Sequence, residues 1–411
     1  MAGWPKQIVA RVRATLGPDV AGLRQGSAAL LVSSGGDLFA GLTLGAITHT
    51  LEALPGLLVL IPAAIGMRGN IFGALGSRLG TAIHTGTFSL SRRADTVVGQ
   101  NVLASIALTF SISFALAVLA KTIAVAFGVA GTISVVDFAV ISVAGGAISS
   151  VVVLAITLGV AALSARRGWD MDNVAAPLVT AAGDMVTLPS LFLATYLVGL
   201  RVVTPVLGLT TMVLAVASVV AAFGAGQELL RRIVRESLPV LLVAGAVDVV
   251  AGLTIQQRIE SFLTFPALLV LIPPFLEDTG ALGAILASRL SSKLHLGVIA
   301  PTAAPPRPAC DDFALVAFLA LPVFVLVALS ADLAATVFDR AGPGAVRMVE
   351  VSLLGGSLAT AVAMLVAYYG SIVAFRLGLD PDNHGVPLLT STMDLVGAIS
   401  LILAVHVVGI T

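Results

Sequence analysis

The sequence is dominated by long runs of apolar residues that are interrupted at only a few polar positions. A helix needs about 17 to 25 such residues to cross a bilayer. Runs of this kind are predicted at 27–50, 54–86, 97–127, 133–165, 174–200, 203–226, 238–257, 262–297, 312–338, 349–377 and 385–409. Because lipid offers no partners to the backbone, helices are expected. The pattern predicts an all-α integral membrane protein with about 11 transmembrane helices.

Most of these segments belong to two copies of one five-helix unit. A constant offset aligns Asp37 with Asp248, and both copies contain the string LLVLIP. Near the end of each copy, PLVTAAGDMV at 177–186 matches PLLTSTMDLV at 387–396. Self-similarity over the whole chain is the signature of an internal duplication. The two copies should therefore place equivalent side chains in equivalent positions.

One segment, 203–226, has no counterpart in either copy. Five crossings invert a chain, and a sixth restores its direction, so the copies should be parallel repeats related by an axis along the membrane normal. The prediction is two parallel five-helix repeats joined by one extra helix. Its parts are a lead-in at 1–26, a first repeat at 27–200, a linking transmembrane helix at 201–226 and a second repeat at 227–411.

Composition agrees with a membrane protein. Hydrophobic residues make up 58% of the chain and charged residues 11%, against about a quarter charged in soluble domains. The formal net charge of +0 gives no basic footprint for nucleic acid. A single cysteine, Cys310, excludes an intramolecular disulfide and a CxxC metal site.

The basic residues indicate the orientation. They concentrate on the side of the membrane that holds the N-terminus. By the positive-inside rule, the N-terminus is expected in the cytoplasm and the C-terminus on the outer side of a cell membrane. Residues 1–26 lack an apolar core, so they are interpreted as a cytoplasmic lead-in rather than a cleaved signal peptide.

Four aspartates lie inside the predicted spans: Asp37 and Asp248 in the first helix of each repeat, and Asp184 and Asp394 in the last. Each costs about 2.5 to 3.5 kcal/mol at the bilayer centre, and such residues usually mark an ion path. Equivalent carboxylates near a twofold axis converge on one point, so Asp184 and Asp394 are expected to bind a cation there. The alternative is protonated aspartates bonded to backbone. The first-helix pair is either part of the site or structural.

The second helix of each repeat is predicted to be broken, since the first copy carries several prolines and glycines there, including Pro62. Asn70, beside this break, is either an oxygen ligand or a polar helix contact. With hydroxyls from Thr180 and Thr390, the candidate ligands are all oxygen, which favours Mg²⁺ or Ca²⁺ over soft metals. Mg²⁺ keeps several waters, so a hydrated ion in a carboxylate-lined constriction is expected.

The repeats differ within this second helix. Glu277 and Asp278 stand where the first repeat has Gly66 and Met67, and Arg68 follows. We hypothesise that Arg68 pairs with Glu277 or Asp278 across the interface, so that these residues form an interface or gate.

The stretch LLVLIPAAIGMRGNIFGALGSRLGTAIHTG, its second copy and the two aspartate decapeptides resemble the membrane domain of MgtE-type magnesium transporters. Two such domains in one chain resemble solute carrier family 41. The resemblance implies a divalent-cation pathway, with magnesium the leading substrate and an aspartate of the last helix facing the hydrated ion. Asp184 and Asp394 match that position. The glycine-asparagine motif of the family matches Gly69-Asn70 but becomes Gly280-Ala281 in the second repeat.

The expected function is a divalent-cation transporter or channel, with Mg²⁺ as transported ion and no cofactor. Its expected partners are the metal ion and the lipid bilayer, with no nucleic acid, and one chain sufficing as a pseudo-dimer. One alternative is a Na⁺- or H⁺-coupled exchanger in which Asp37 and Asp248 titrate. An intramembrane aspartyl protease is less favoured, because catalysis needs one asymmetric pair of carboxyl groups.

Overall fold

The computed structural model describes residues 20–91, 93–167, 171–377 and 385–410, without the side chains of 20–32, 171–177 and 386. Residues 1–19 of the predicted lead-in lie outside this part. The described chain is helical and contains no strand in these ranges. The helices are α1 Val20–Ala46, α2 Thr48–Ala53, α3 Leu57–His84, α4 Val97–Ala126, α5 Val135–Arg167, α6 Met171–Thr195, α7 Val203–Gly224, α8 Glu228–Gln256, α9 Ile259–Thr264, α10 Pro266–His295, α11 Arg307–Val337, α12 Ala345–Leu377 and α13 Val386–Val408.

Within the described residues, ten helices are long and apolar enough to cross a membrane: α3 to α8 and α10 to α13. Helix α1, with 27 residues, is a further long helix. These eleven long helices correspond to the eleven apolar segments of the sequence. The predicted fold class, an all-α integral membrane protein, is therefore confirmed.

The predicted break within the second helix of each repeat is wrong. Helix α3 is continuous with Pro62 inside it, and α10 is continuous with Pro273 and Pro274 inside it. The interruption comes earlier, where short helices precede both. The turn into α3 passes through Gly56 at φ 90°, a left-handed conformation that glycine adopts without strain. A proline removes only one intrahelical hydrogen bond, and the packed surroundings tolerate that loss.

The first helix of each repeat packs against the second helix of the other repeat, α1 on α10 and α8 on α3. Gly41 and Gly252, which are equivalent, lie at these crossings. A Cβ on Gly41 would collide with the carbonyl of Val270, and one on Gly252 with the carbonyl of Val59. Small residues allow such close backbone approach between membrane helices. The two repeats are thus interlocked through their first helices.

The prolines free acceptors at these crossings. Because Pro62 has no amide hydrogen, the carbonyl of Leu58 loses its intrahelical donor, and a Cβ on Gly252 would lie 2.9 Å from that oxygen. At the other crossing, Pro274, the residue after the equivalent of Pro62, frees the carbonyl of Val270, which a Cβ on Gly41 would meet. Contacts from a Cα hydrogen to a carbonyl oxygen are worth about 0.5 to 1 kcal/mol each.

The last helices, α6 and α13, complete the interface. Each packs against the first and second helices of its own repeat. Helices α1, α3, α6, α8, α10 and α13 therefore surround the contact between the repeats, and α7 packs on α4, α5 and α8. This arrangement brings the four predicted aspartates to the interface.

Candidate functional site

The structure brings six acidic side chains together between the repeats. They come from α1, α6, α8, α10 and α13. Five are buried, at most 7% exposed, and these are Asp37, Asp184, Asp248, Asp278 and Asp394. The sixth, Glu277, is half-buried. In the described part of the chain, no Lys or Arg forms a salt bridge with any of them.

The four predicted aspartates form two equivalent pairs. The carboxyl group of Asp37 adjoins that of Asp184, and the carboxyl group of Asp248 adjoins that of Asp394. No donor from the described residues reaches either carboxylate oxygen of Asp37, Asp184 or Asp248. Two ionised carboxylates in contact repel, so each pair needs a proton or a cation between its members. Buried and unpartnered charge of this kind is costly to keep.

Gly66 on α3 gives the second pair its space. A Cβ at this position would lie 3.2 Å from Oδ2 of Asp248 and 3.7 Å from Oδ2 of Asp394. The two carboxylates therefore converge on one point at the surface of α3. Any side chain larger than hydrogen at position 66 would enter that point.

The predicted threonines lie beside the pairs. Thr180 and Thr390 each precede the aspartate of the last helix by about one turn, and both are half-buried. A Cβ on Gly69 would lie 3.7 Å from Cγ2 of Thr180, and one on Gly280 would lie 3.9 Å from Cβ of Thr390. Oγ1 of Thr390 donates to the Pro387 carbonyl at 3.2 Å. Both threonines thus pack where the second and last helices meet.

Asn70 is half-buried on α3, and its equivalent on α10 is Ala281. Among the described residues, no group of three or more His, Cys, Asp or Glu side chains is arranged to hold a bare metal ion. The cluster can still attract a cation that keeps its water shell, because waters extend the reach of the carboxylates.

The structure does not bring Arg68 to the acidic residues of α10. Its guanidinium is 1% exposed within its own repeat, and Nη2 donates to Oγ of Ser113 at 2.6 Å. Asp278 instead accepts from Oγ of Ser34, at 2.9 Å to Oδ1 and 3.1 Å to Oδ2. The hypothesis that Arg68 pairs with Glu277 or Asp278 is therefore wrong in this structure.

Arg68 fills space that an aromatic ring fills in the other repeat. Its equivalent is Thr279, and the equivalent of its partner Ser113 is Phe324. A Cβ on Gly146 of α5 would collide with Nη2 of Arg68. A Cβ on the equivalent glycine of α12, Gly356, would collide with the Phe324 ring. The first repeat thus has the large Arg68 and the small Ser113 where the second has the small Thr279 and the large Phe324, and the volume of the core is conserved.

A small, mostly apolar cavity of about 20 Å³, room for about one water, adjoins the cluster at the contact between the repeats. Most of its lining comes in equivalent pairs from the two repeats, with two carboxylates added. It is lined by Leu44, Leu58, Ile61, Pro62, Ile65, Ile255, Ile272, Pro273, Leu276, Glu277 and Asp394.

Sequence reasoning missed two serines at the site. Ser34 holds Asp278, as above, and Ser391 is buried beside Asp248 with its Oγ unpartnered among the described residues. Ser391 follows Thr390 within the aspartate decapeptide, so its position was visible. Neither serine is repeated in the other copy, where Gly245 and Ala181 stand, so the duplication gave no signal for them.

Comparison with known proteins shows the family to which the chain belongs. The family described as "MgtE: Divalent cation transporter" matches residues 61–194 and 272–404, more than half of the chain. Solute carrier family 41 member 2 of Xenopus laevis is 26% identical over 407 residues, covering 92% of this chain and 71% of the relative. Solute carrier family 41 member 3 of Rattus norvegicus is 27% identical over 409 residues, covering 90% and 83%. No solved structure matches the chain.

The two family matches lie on either side of α7, and each contains most of one second helix and of one last helix, the helices that surround the acidic cluster. The chain therefore belongs to the MgtE family of divalent cation transporters and is a multi-pass membrane protein.

Proposed function

We propose that the protein carries Mg²⁺ across the membrane between its two repeats, with the hydrated ion bound by Asp184 and Asp394. The observation that carries the proposal is the buried acidic cluster, which has no cationic side chain paired with it in the described residues. Charge of this density in a membrane interior is offset by protons or by cations, and we assign that role to the transported cation. Asp37 and Asp248 adjoin the last-helix aspartates and complete the site.

The chemistry of the site favours Mg²⁺ among divalent cations. The candidate ligands are carboxylates, hydroxyls and the amide of Asn70, which are hard oxygen donors. Soft and borderline metals prefer sulfur and imidazole. Mg²⁺ dehydrates reluctantly and keeps several of its waters, so a site rich in carboxylates fits it as a hydrated species.

Both halves of the proposed site come from one chain, so one chain suffices to form the pathway. We infer from the distribution of basic residues that the N-terminus lies inside and the C-terminus outside. In that orientation the apolar cavity lies on the outer side of the carboxylates. No catalytic role is assigned to the aspartates, because they form two equivalent pairs rather than the single asymmetric pair of a protease.

Flux into liposomes tests the proposal. The purified chain is reconstituted around a Mg²⁺-sensitive dye, and external Mg²⁺ is added with and without Na⁺ and pH gradients. The expected result is saturable Mg²⁺ entry that protein-free liposomes lack. Entry indifferent to both gradients supports an uncoupled pathway, and entry that requires one of them supports the exchanger. Absence of Mg²⁺ flux under every gradient would refute the proposal.

A further inference from the structure

Glu277 occupies a special place in the acidic cluster. It interacts electrostatically with every one of the other five carboxyl groups. Asp394, for comparison, interacts with Asp248, Glu277 and Asp184. Glu277 therefore lies where the two aspartate pairs meet.

Glu277 also breaks the symmetry between the pairs. Its equivalent in the first repeat is Gly66, which faces the Asp248 and Asp394 carboxylates with no side chain. In the second repeat the same position carries a carboxylate toward Asp37 and Asp184. One side of the interface thus has open space, and the other has an additional negative charge.

Its neighbour Asp278 does not share this freedom. Asp278 is 1% exposed and held by Ser34, so its charge is already used in joining α10 to α1. Glu277 is half-buried, has no salt-bridge partner in the described ranges, and lines the apolar cavity together with Asp394. Of the carboxylates in the cluster, these two are the ones that the cavity reaches.

We propose that Glu277 is a specificity-determining ligand of the cation pathway, the carboxylate that holds a divalent cation at the entrance to the paired aspartates, beside the cavity. This inference rests on the proposed function. Coulomb attraction scales with the charge of the ion, so one added carboxylate favours a divalent over a monovalent cation. The aspartates alone would bind a cation symmetrically, and Glu277 adds discrimination at the entrance.

Mg²⁺ concentration dependence of liposome flux tests the role of Glu277. Glu277→Gln keeps the shape and removes the charge, and Glu277→Gly restores the residue of the first repeat. Both are expected to raise KM for Mg²⁺ by about tenfold or more, as loss of a charged contact does, with a smaller effect on the maximal rate. Glu277→Asp should recover part of the affinity. Na⁺ should inhibit Mg²⁺ entry more strongly in the Gln variant.

Glu350→Gln is the matched control, since Glu350 is exposed on α12, away from the cluster. Folding of each variant is checked by its melting temperature, and Mg²⁺ binding by the rise in melting temperature that added Mg²⁺ causes. Wild-type KM and Na⁺ sensitivity in a folded Glu277→Gln protein would overturn the inference while leaving Mg²⁺ transport standing. A wild-type protein with neither Mg²⁺ flux nor a Mg²⁺-dependent melting shift would overturn both.

Discussion

Gly66 and Glu277 occupy equivalent positions, yet one leaves space beside a carboxylate pair and the other adds a carboxylate. Since a Cβ on Gly66 would lie within 4 Å of carboxylate oxygens from α8 and α13, its lack of a side chain sets the room available to an ion. This position can be tested without altering any charge.

Gly66→Ala is predicted to impair Mg²⁺ flux. Its Cβ would stand 3.2 Å from Oδ2 of Asp248, closer than the usual 3.5 to 4.0 Å between non-bonded atoms. We expect KM to rise several-fold in a protein that still folds, because alanine favours the helix. Gly73→Ala, on the same helix with nothing within 4 Å, is the control. Equal flux in the two variants would contradict this account of Gly66.

Arg68 and Ser113 are predicted to be coupled through volume. Arg68→Thr leaves a cavity, and Ser113→Phe overpacks the core, so each should lower stability by about 1 to 5 kcal/mol. The double variant reproduces the second repeat and should recover most of the loss. Melting temperatures of the four proteins give the coupling, expected at about 0.5 to 3 kcal/mol.

Additive losses in the double variant would show that Arg68 does not act by filling this space. Measurement of Mg²⁺ flux by the double variant tests whether Arg68 also has a role in transport. A stable double variant that transports Mg²⁺ assigns Arg68 to packing, whereas a stable one without transport assigns its charge to the pathway.

The residues of the site were predictable to the extent that the duplication repeats them. Asp37, Asp184, Asp248 and Asp394 stood out because the duplication repeats them, and the pseudo-twofold arrangement predicted that they approach the interface. Their contacts were not predicted, since each aspartate of a first helix adjoins the last-helix aspartate of its own repeat. The direction in which the Arg68 side chain points was not predicted, although helical geometry indicates it. Arg68 lies two residues, about 200° of helix rotation, from Gly66. If position 66 faces the cluster, position 68 faces its own repeat.

At the scale of elements, the helix crossings depend on two glycines. Gly252→Ala would push a methyl group into the carbonyl of Val59, which belongs to backbone and cannot move aside as a flexible side chain can. Overpacking of this kind costs about 1 to 3 kcal/mol. The variant should therefore melt several degrees lower in detergent.

Gly159→Ala is the matched control for the crossing. Gly159 lies on α5 with nothing within 4 Å, so alanine there should leave the melting temperature unchanged or raise it, being the better helix former by about 1 kcal/mol. A Gly252→Ala protein as stable as the control would mean that the crossing is looser than the structure has it.

Helix positions were predictable from hydrophobicity, because each apolar run became one long helix. Their ends were less so. Helix α8 begins at Glu228 rather than near 238. Its first turns carry Glu228, Arg231 and Arg232, so a search for apolar residues leaves them out although the helix extends beyond the apolar segment. The predicted break in α3 failed because hydrophobic and proline patterns do not reveal how packing tolerates one lost hydrogen bond.

At the scale of the whole molecule, the distribution of basic residues predicts sidedness, and the single cysteine tests it. Cys310 is exposed at the start of α11, on the predicted cytoplasmic side. A membrane-impermeant maleimide should label it in inside-out vesicles and not in intact cells. Arg201→Cys in a Cys310→Ser background, in the exposed connection before α7, should label from outside. The opposite pattern would invert the orientation.

The central claim is that paired acidic side chains at the contact between the repeats bind the transported ion. The most direct measurement is Mg²⁺ flux into liposomes by the Asp184→Asn, Asp394→Asn double variant beside the wild type. Asparagine keeps the size of aspartate and removes a buried charge, so the variant should fold at least as stably. We predict that its flux falls to the level of protein-free liposomes. Flux at the wild-type rate in the folded double variant would contradict the account.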